Sequence, residues 1–290
     1  MQSEYINTEK NLKTIRSDTF LFFKLLFMLI FYILLLPFAL LILLFGFLFG
    51  SIENSKLKFN RLVSKPFIII KEIYDWFFEA KYTAFLMFIL IVIFLLQYFV
   101  FNDYAKLFYT HPNDLFGVRI YTLLTSIFLH ANIIHLGTNL LALMIFGRLV
   151  ERDFQEKTIL IFIVGGFLAN IVSHIISIYY NDLFFSIGAS GGIAALAMLA
   201  ILLHPFALSS ILVVPVPIFV YGWFLIFLDI IGLTNPSQTN HYAHIGGYCA
   251  ILVLLFFIEF KKRKRIYIGL TLNIAMLLIY LFLLKDIIVL

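Results

Sequence analysis

Long apolar runs dictate what this chain can become. Stretches at about 19–50, 83–101, 131–147, 158–180, 188–203, 209–230, 241–260 and 266–284 are almost wholly apolar, separated by short polar punctuation. At 1.5 Å of rise per residue, a helix of about 20 residues crosses the roughly 30 Å hydrocarbon core of a bilayer. The composition agrees. The 290 residues are 63% hydrophobic and 13% charged, whereas soluble domains are about half apolar and about a quarter charged. The chain therefore reads as an all-α polytopic membrane protein with membrane lipids as its surroundings. Its formal net charge of +5 finds little aqueous surface for a nucleic-acid site, so no nucleic acid is expected and the basic residues are read as setting orientation. A single cysteine, Cys249, and no CxxC or Cys/His spacing give no indication of a disulfide, metal or cofactor.

The runs divide the chain. A polar segment at 1–18 precedes a membrane anchor at 19–50, which contains Pro37 and reads as either one kinked helix or a shallow hairpin. Its length and its charged prefix (Lys10, Lys13, Arg16) are those of a retained anchor rather than a cleaved signal. Residues 51–82 form a cytoplasmic or interfacial linker in which Pro66 to Tyr82 mixes aromatics with charges, a composition that suits a helix lying in the inner interface. A core at 83–260 follows, then a basic loop and a C-terminal transmembrane helix at 261–290. The run Lys261, Lys262, Arg263, Lys264, Arg265 is the strongest charge signal, and short Lys/Arg-rich loops stay in the cytoplasm. Counting back from it, the spans starting near 131, 188 and 241 run parallel from outside to inside.

Strongly polar groups inside spans are costly and are functional candidates by default. Ser190, His244, His135, Asn139 and His130 are weighed by depth. Ser190 and His244 each fall three or four residues past an outer loop, roughly 5–6 Å below the outer ends of two parallel helices. His135 and Asn139, four apart, share a face slightly deeper. A serine hydroxyl attacks only when a base takes its proton, and imidazole is the common base. The surrounding GASGG, with Gly188 ahead of the serine, permits close backbone approach, and N–H groups at a helix start can hold an oxyanion. His135 and Asn139 would add donors. Each feature has a plainer reading. Gly/Ala/Ser runs are usually packing faces, a lone intramembrane His or Asn usually satisfies a backbone carbonyl, His174 and His204 read as structural, and Cys249 reads as a small core residue. The conjunction at one depth favours chemistry.

These residues resemble the rhomboid family of intramembrane serine proteases. Gly188-Ala189-Ser190-Gly191 is similar to its GxSG motif, Ala243-His244-Ile245-Gly246-Gly247 to its AHxxG motif, and His130, His135 and Asn139 to its HxxxxHxxxN motif, with Arg119, Ser126, Phe128 and Leu129 leading in. The likeness covers roughly residues 83–260. It implies a rhomboid-like six-helix core and an active site opening to the extracytoplasmic side of a multi-pass membrane protein, the plasma or inner membrane if bacterial. Ser190 would be the nucleophile and His244 the general base, while His135, Asn139 and the Ser190 backbone N–H would form the oxyanion site. Transmembrane proteins would be the substrates. The resemblance also implies that 102–125 is the family's first loop, that 209–230 is the helix at its lateral gate, and that 266–284 is an extra seventh helix. Three positions depart from the family: Ala194 stands where an aromatic often packs against the histidine, Val118 where Trp is frequent, and Ile251 where a second glycine is usual.

Three rivals are set beside this reading. Gly188-x-Ser190-x-Gly192 literally matches a nucleophile elbow, with Ser190, Asp229 and His244 in α/β-hydrolase order, but an elbow needs a strand–turn–helix in a large sheet and these flanks are membrane spans. A catalytically inactive rhomboid-like protein that binds membrane clients is the alternative from another class. A transporter would need an ionisable relay through the spans.

Overall fold

The computed structural model describes residues 24–36, 52–181, 185–211, 214–233, 240–255 and 263–288. The polar segment 1–18 and the choice between one crossing and a hairpin at 19–50 lie outside the described residues, as do Lys261 and Lys262 of the basic run. The helices in chain order are α1 (Lys24–Leu36), α2 (Ile52–Phe78), α3 (Lys81–Phe99), α4 (Thr122–Thr125), α5 (Ile133–Phe154), α6 (Lys157–Tyr180) and α7 (Ser190–Leu203). Strands β1 (Leu208–Ile211) and β2 (Val214–Pro217) pair as a hairpin, and α8 (Ile218–Gly232), α9 (His241–Leu254) and α10 (Arg263–Ile288) follow.

The chain divides into two compact units. One takes residues 1–81 with 208–215. In it α2 is a single helix running through Pro66, so the linker at 51–82 is helical from Ile52 and not only from Pro66. Exposed Phe67, Ile70, Tyr74 and Phe78 share α2 with Lys71, Glu72 and Asp75.

The other unit, residues 82–207 and 216–290, carries the candidate residues. Among the described residues, three of its helices, α3, α5 and α6, are long and apolar enough to cross a bilayer. They expose Phe85, Phe88 and Leu95 of α3 and Leu160 and Ile175 of α6, which suits side chains that meet lipid. This is an integral membrane protein. By contrast α7 has 14 residues and is buried along almost its whole length. At about 21 Å it is shorter than the hydrocarbon core.

Small residues let the neighbours close on α7. A Cβ at Gly191 would stand 2.7 Å from the Ala169 Cβ of α6, and one at Gly247 of α9 would stand 2.9 Å from the Ala194 Cβ of α7. Contacts this short exist only because no side chain is there. The sequence expects a span at 209–230, but helix begins only at Ile218. Pro215 and Pro217 lack the N–H that a helix interior needs and hold their predecessors extended, and Pro217 itself is extended (ψ 138°) at the cap of α8.

The two ends of this unit are pinned by polar groups. At one, Glu151 of α5 accepts hydrogen bonds from the backbone N–H groups of Tyr82 (3.0 Å) and Thr83 (2.7 Å) and from the Thr83 hydroxyl (2.7 Å). It thereby caps the open N-terminus of α3 with a carboxylate. At the other, Asn240 caps α9: its Oδ1 accepts from the Ala243 N–H (3.0 Å) and from Ser173 of α6 (3.1 Å), and its Nδ2 donates to the Ser186 hydroxyl (2.8 Å) just before α7. Ser186 in turn pairs with Thr110 through two backbone hydrogen bonds (2.7 and 3.1 Å). Between α3 and α4 the chain turns through two short 3₁₀ segments, braced by Arg119, which pairs with Asp114 (3.4 Å) and donates to the Tyr109 carbonyl (2.9 Å).

Candidate active site

The first turns of α5, α7 and α9 lie at the end pinned by Asn240 and carry His135, Ser190 and His244, with His130 and Gly188 just ahead of α5 and α7 and Asn139 one turn into α5. Ser190 opens α7 and is partly exposed. Gly188, two residues earlier, has φ +127°, a conformation that side-chain-bearing residues rarely adopt, and its N–H donates to the Ser126 carbonyl (2.9 Å). A Cβ there would stand 2.8 Å from His135 Cε1, 2.9 Å from His135 Nε2 and 3.9 Å from Ser190 Oγ. His135 and Ser190 are thus both brought within 4 Å of one bare backbone position.

His135 sits in the first turn of α5, which is capped by the Asn132 side chain accepting from the His135 N–H (2.9 Å). Its Nδ1 accepts a long hydrogen bond from the Ala131 N–H (3.4 Å). That arrangement leaves the proton on Nε2, the nitrogen turned toward Gly188. His130 is fully buried, its ring centroid 5.1 Å from that of His135. Its backbone is clamped by Gln97, which donates to the His130 carbonyl (2.8 Å) and accepts from the His130 N–H (3.1 Å). Asn139 is buried and donates from Nδ2 to the His135 carbonyl one turn back (3.0 Å), so one of its two N–H bonds is taken within its own helix.

His244 lies in the first turns of α9, directly after Ala243, whose carbonyl oxygen would be 3.5 Å from a Cβ at Gly191. The residue following the serine therefore packs against the residue preceding the histidine. Among the described residues no hydrogen bond joins Ser190 to His244. The His244 Nδ1 is instead 2.6 Å from Asp229 Oδ1 of α8. The same oxygen is 2.8 Å from His241 Nδ1, and Oδ2 accepts from the Tyr248 hydroxyl (2.8 Å).

Asp229, His241 and Tyr248 are absent from the sequence-derived site. A signal existed, since Asp229 is a single carboxylate inside the apolar run Phe224–Ile231, and such residues are functional candidates by default. His174 and His204 have local partners, Thr110 (2.7 Å) and Asp153 (2.5 Å). Cys249 is a correction: it lies on the exposed face of α9 rather than in the core, between buried Tyr248 and Ala250.

Asp229, His241 and His244 also offer ligand atoms within 4.8 Å of one another, a spacing that could hold a metal ion. The Oδ1 to Nδ1 separations of 2.6 and 2.8 Å are hydrogen-bond lengths. An ion would have to displace both Nδ1 protons and move the carboxylate outward.

The structure thus places a serine and histidines together at one end of a short helix of a helical membrane protein, and the comparisons with known proteins bear on its class. Residues 118–261 match the family model of the Rhomboid domain. The chain is 33% identical to RHOMBOID-like protein 12, mitochondrial, of Arabidopsis thaliana, over 44% of this chain and 44% of that protein. It is also 33% identical to RHOMBOID-like protein 6, mitochondrial, of the same plant, over 48% and 45% of the two chains, and 29% identical to RHOMBOID-like protein 1, over 48% and 34%. This chain belongs to the rhomboid family. It spans less than half the length of these curated relatives.

Proposed function

We propose that the chain is an intramembrane serine endopeptidase that cuts transmembrane proteins in or near their membrane-spanning helices, from a site opening to the extracytoplasmic side. The observation that carries this reading is the junction at Gly188, where the space left by a bare, positive-φ residue lies within 4 Å of both Ser190 Oγ and His135 Nε2 at the start of α7. Ser190 Oγ attacks the scissile carbonyl carbon while its proton passes to His244 Nε2. The negative charge that develops on the carbonyl oxygen is met by His135 Nε2–H and the N–H groups at the start of α7, with the second Asn139 N–H near by. His244 then gives the proton to the leaving amine, and water repeats the sequence to release the acyl group from Ser190. The hydrogen bond between Ser190 and His244 closes when substrate excludes water, since such contacts tighten on binding.

The test is cleavage of a labelled single-span protein by the purified chain in detergent. Wild type cuts and also takes up a fluorophosphonate label, and Ser190→Ala and His244→Ala do neither. Equal lack of cleavage and labelling by all three would overturn the proposal in favour of a client-binding protein without catalysis.

A further inference from the structure

The Asp229 cluster has no part in the serine and histidine chemistry described so far, yet it touches the general base directly. An ionised carboxylate only accepts hydrogen bonds. With Asp229 Oδ1 2.6 Å from His244 Nδ1 and 2.8 Å from His241 Nδ1, both imidazoles present Nδ1–H to it, and the Tyr248 hydroxyl donates to Oδ2. The consequence for His244 is a fixed tautomer: Nδ1 carries the proton and Nε2 keeps the lone pair that a general base needs. His241 and Tyr248 each take a carboxylate lone pair, so the carboxylate cannot rotate away without breaking three bonds. Asp229 is buried, and its charge lies where the imidazolium of His244 would form.

We propose that Asp229 is the positioning residue of the site, the third member of a Ser190–His244–Asp229 relay, supplied by α8 and held in register by His241 and Tyr248. The proposal rests on the protease reading above. Asp229 touches neither substrate nor the reacting atoms. It acts through His244, by fixing which nitrogen faces the serine and by balancing the charge formed when His244 takes the Ser190 proton.

The experiment uses the full chain in detergent with the same single-span substrate, comparing wild type, Asp229→Asn, Asp229→Leu and Asp229→Glu, each checked for thermal unfolding. Two readouts separate positioning from bulk structure. First, kcat falls on the order of 10²- to 10⁴-fold in both Asp229→Leu and Asp229→Asn, with KM little changed, and Asp229→Glu recovers part of the loss. Second, ¹⁵N NMR of histidine-labelled wild type shows His244 protonated at Nδ1 and bare at Nε2, and Asp229→Leu shifts the population toward Nε2–H. A folded Asp229→Leu protein with wild-type kcat, or a wild-type His244 with its proton on Nε2, overturns the proposal while Ser190-dependent cleavage leaves the protease reading intact. If wild type does not cut, the protease reading fails, and the tautomer measurement on wild type still decides whether Asp229 orients His244.

Discussion

Gly188→Ala puts the site geometry to a sharp test, because the structure gives both terms of its effect. The backbone at 188 has φ +127°, and holding an L residue in so sparsely populated a region costs about 1–3 kcal/mol. The new methyl would also stand 2.8 Å from His135 Cε1 and 2.9 Å from Nε2. Ordinary contact begins near 3.4 Å, so the His135 ring must retreat by roughly half an ångström, the tolerance within which a catalytic constellation has to be held. Losing one well-placed donor to an oxyanion lowers kcat on the order of 10²- to 10³-fold. Gly137→Ala is the matched control. It lies two residues from His135 in the same helix, a Cβ there meets nothing within 4 Å, and replacing a helical Gly by Ala stabilises by about 0.4–1 kcal/mol. Cleavage of a single-span substrate and thermal unfolding in detergent are measured for both. Gly188→Ala with kcat within about twofold of wild type would refute the placement of His135 as an oxyanion donor.

Asn240→Ala removes the α9 cap and strands fully buried Ser173. The cap is worth about 1 kcal/mol and the unsatisfied hydroxyl about 1–3 more, so unfolding in detergent moves to clearly lower temperature. Glu151→Gln places an N–H₂ donor against the N–H groups of Tyr82 and Thr83 and destabilises by about 1–3 kcal/mol, read in the same assay; no change would show that the carboxylate does not cap α3. Ala194→Phe forces a ring into the contact where Gly247 meets α7 and lowers stability by about 1–3 kcal/mol. Prolonged treatment with a chelator leaves kcat unchanged, since the three atoms a metal would use at Asp229, His241 and His244 are already joined by hydrogen bonds.

The helices were legible where hydropathy is uniform. Expected spans at 83–101, 158–180 and 188–203 fall on Lys81–Phe99, Lys157–Tyr180 and Ser190–Leu203, because long apolar stretches have no competing structure in a bilayer. Charge misled at the far end of α5. Arg148, Glu151 and Arg152 read as loop, yet the helix continues to Phe154, because Glu151 is turned inward to cap α3. The prolines at 215 and 217 were visible, but an apolar hairpin and an apolar helix have the same mean hydropathy. Ser190, His135 and His244 were legible because each begins a parallel helix, so sequence offset converts directly to depth. Asp229 entered only as part of a rejected α/β-hydrolase match, because its partners lie 12, 15 and 19 residues ahead, beyond the turn that leaves α8, and only packing reveals that they share one carboxylate.

Two departures from the family pattern have a common physical origin. An aromatic at 194 would pack against the histidine, but α9 approaches α7 so closely at Gly247 that even the alanine at 194 leaves no space for a methyl opposite. Ile251, where a second glycine is usual, is fully buried one turn beyond Gly247, so the helices meet tightly near the serine and are filled by a branched side chain deeper in. With no aromatic at 194 to hold it, His244 needs another source of orientation, and apolar packing around an imidazole cannot distinguish its two tautomers. A carboxylate can, because it accepts from only the protonated nitrogen. A small residue at 194 and an acid at 229 are in this view one adaptation: in Asp229→Leu combined with Ala194→Phe the new ring strains the α7–α9 contact and leaves the tautomer unfixed, so kcat should stay at or below that of Asp229→Leu alone. Recovery of cleavage in that double variant would show that support of the ring, and not its proton, is what the site requires.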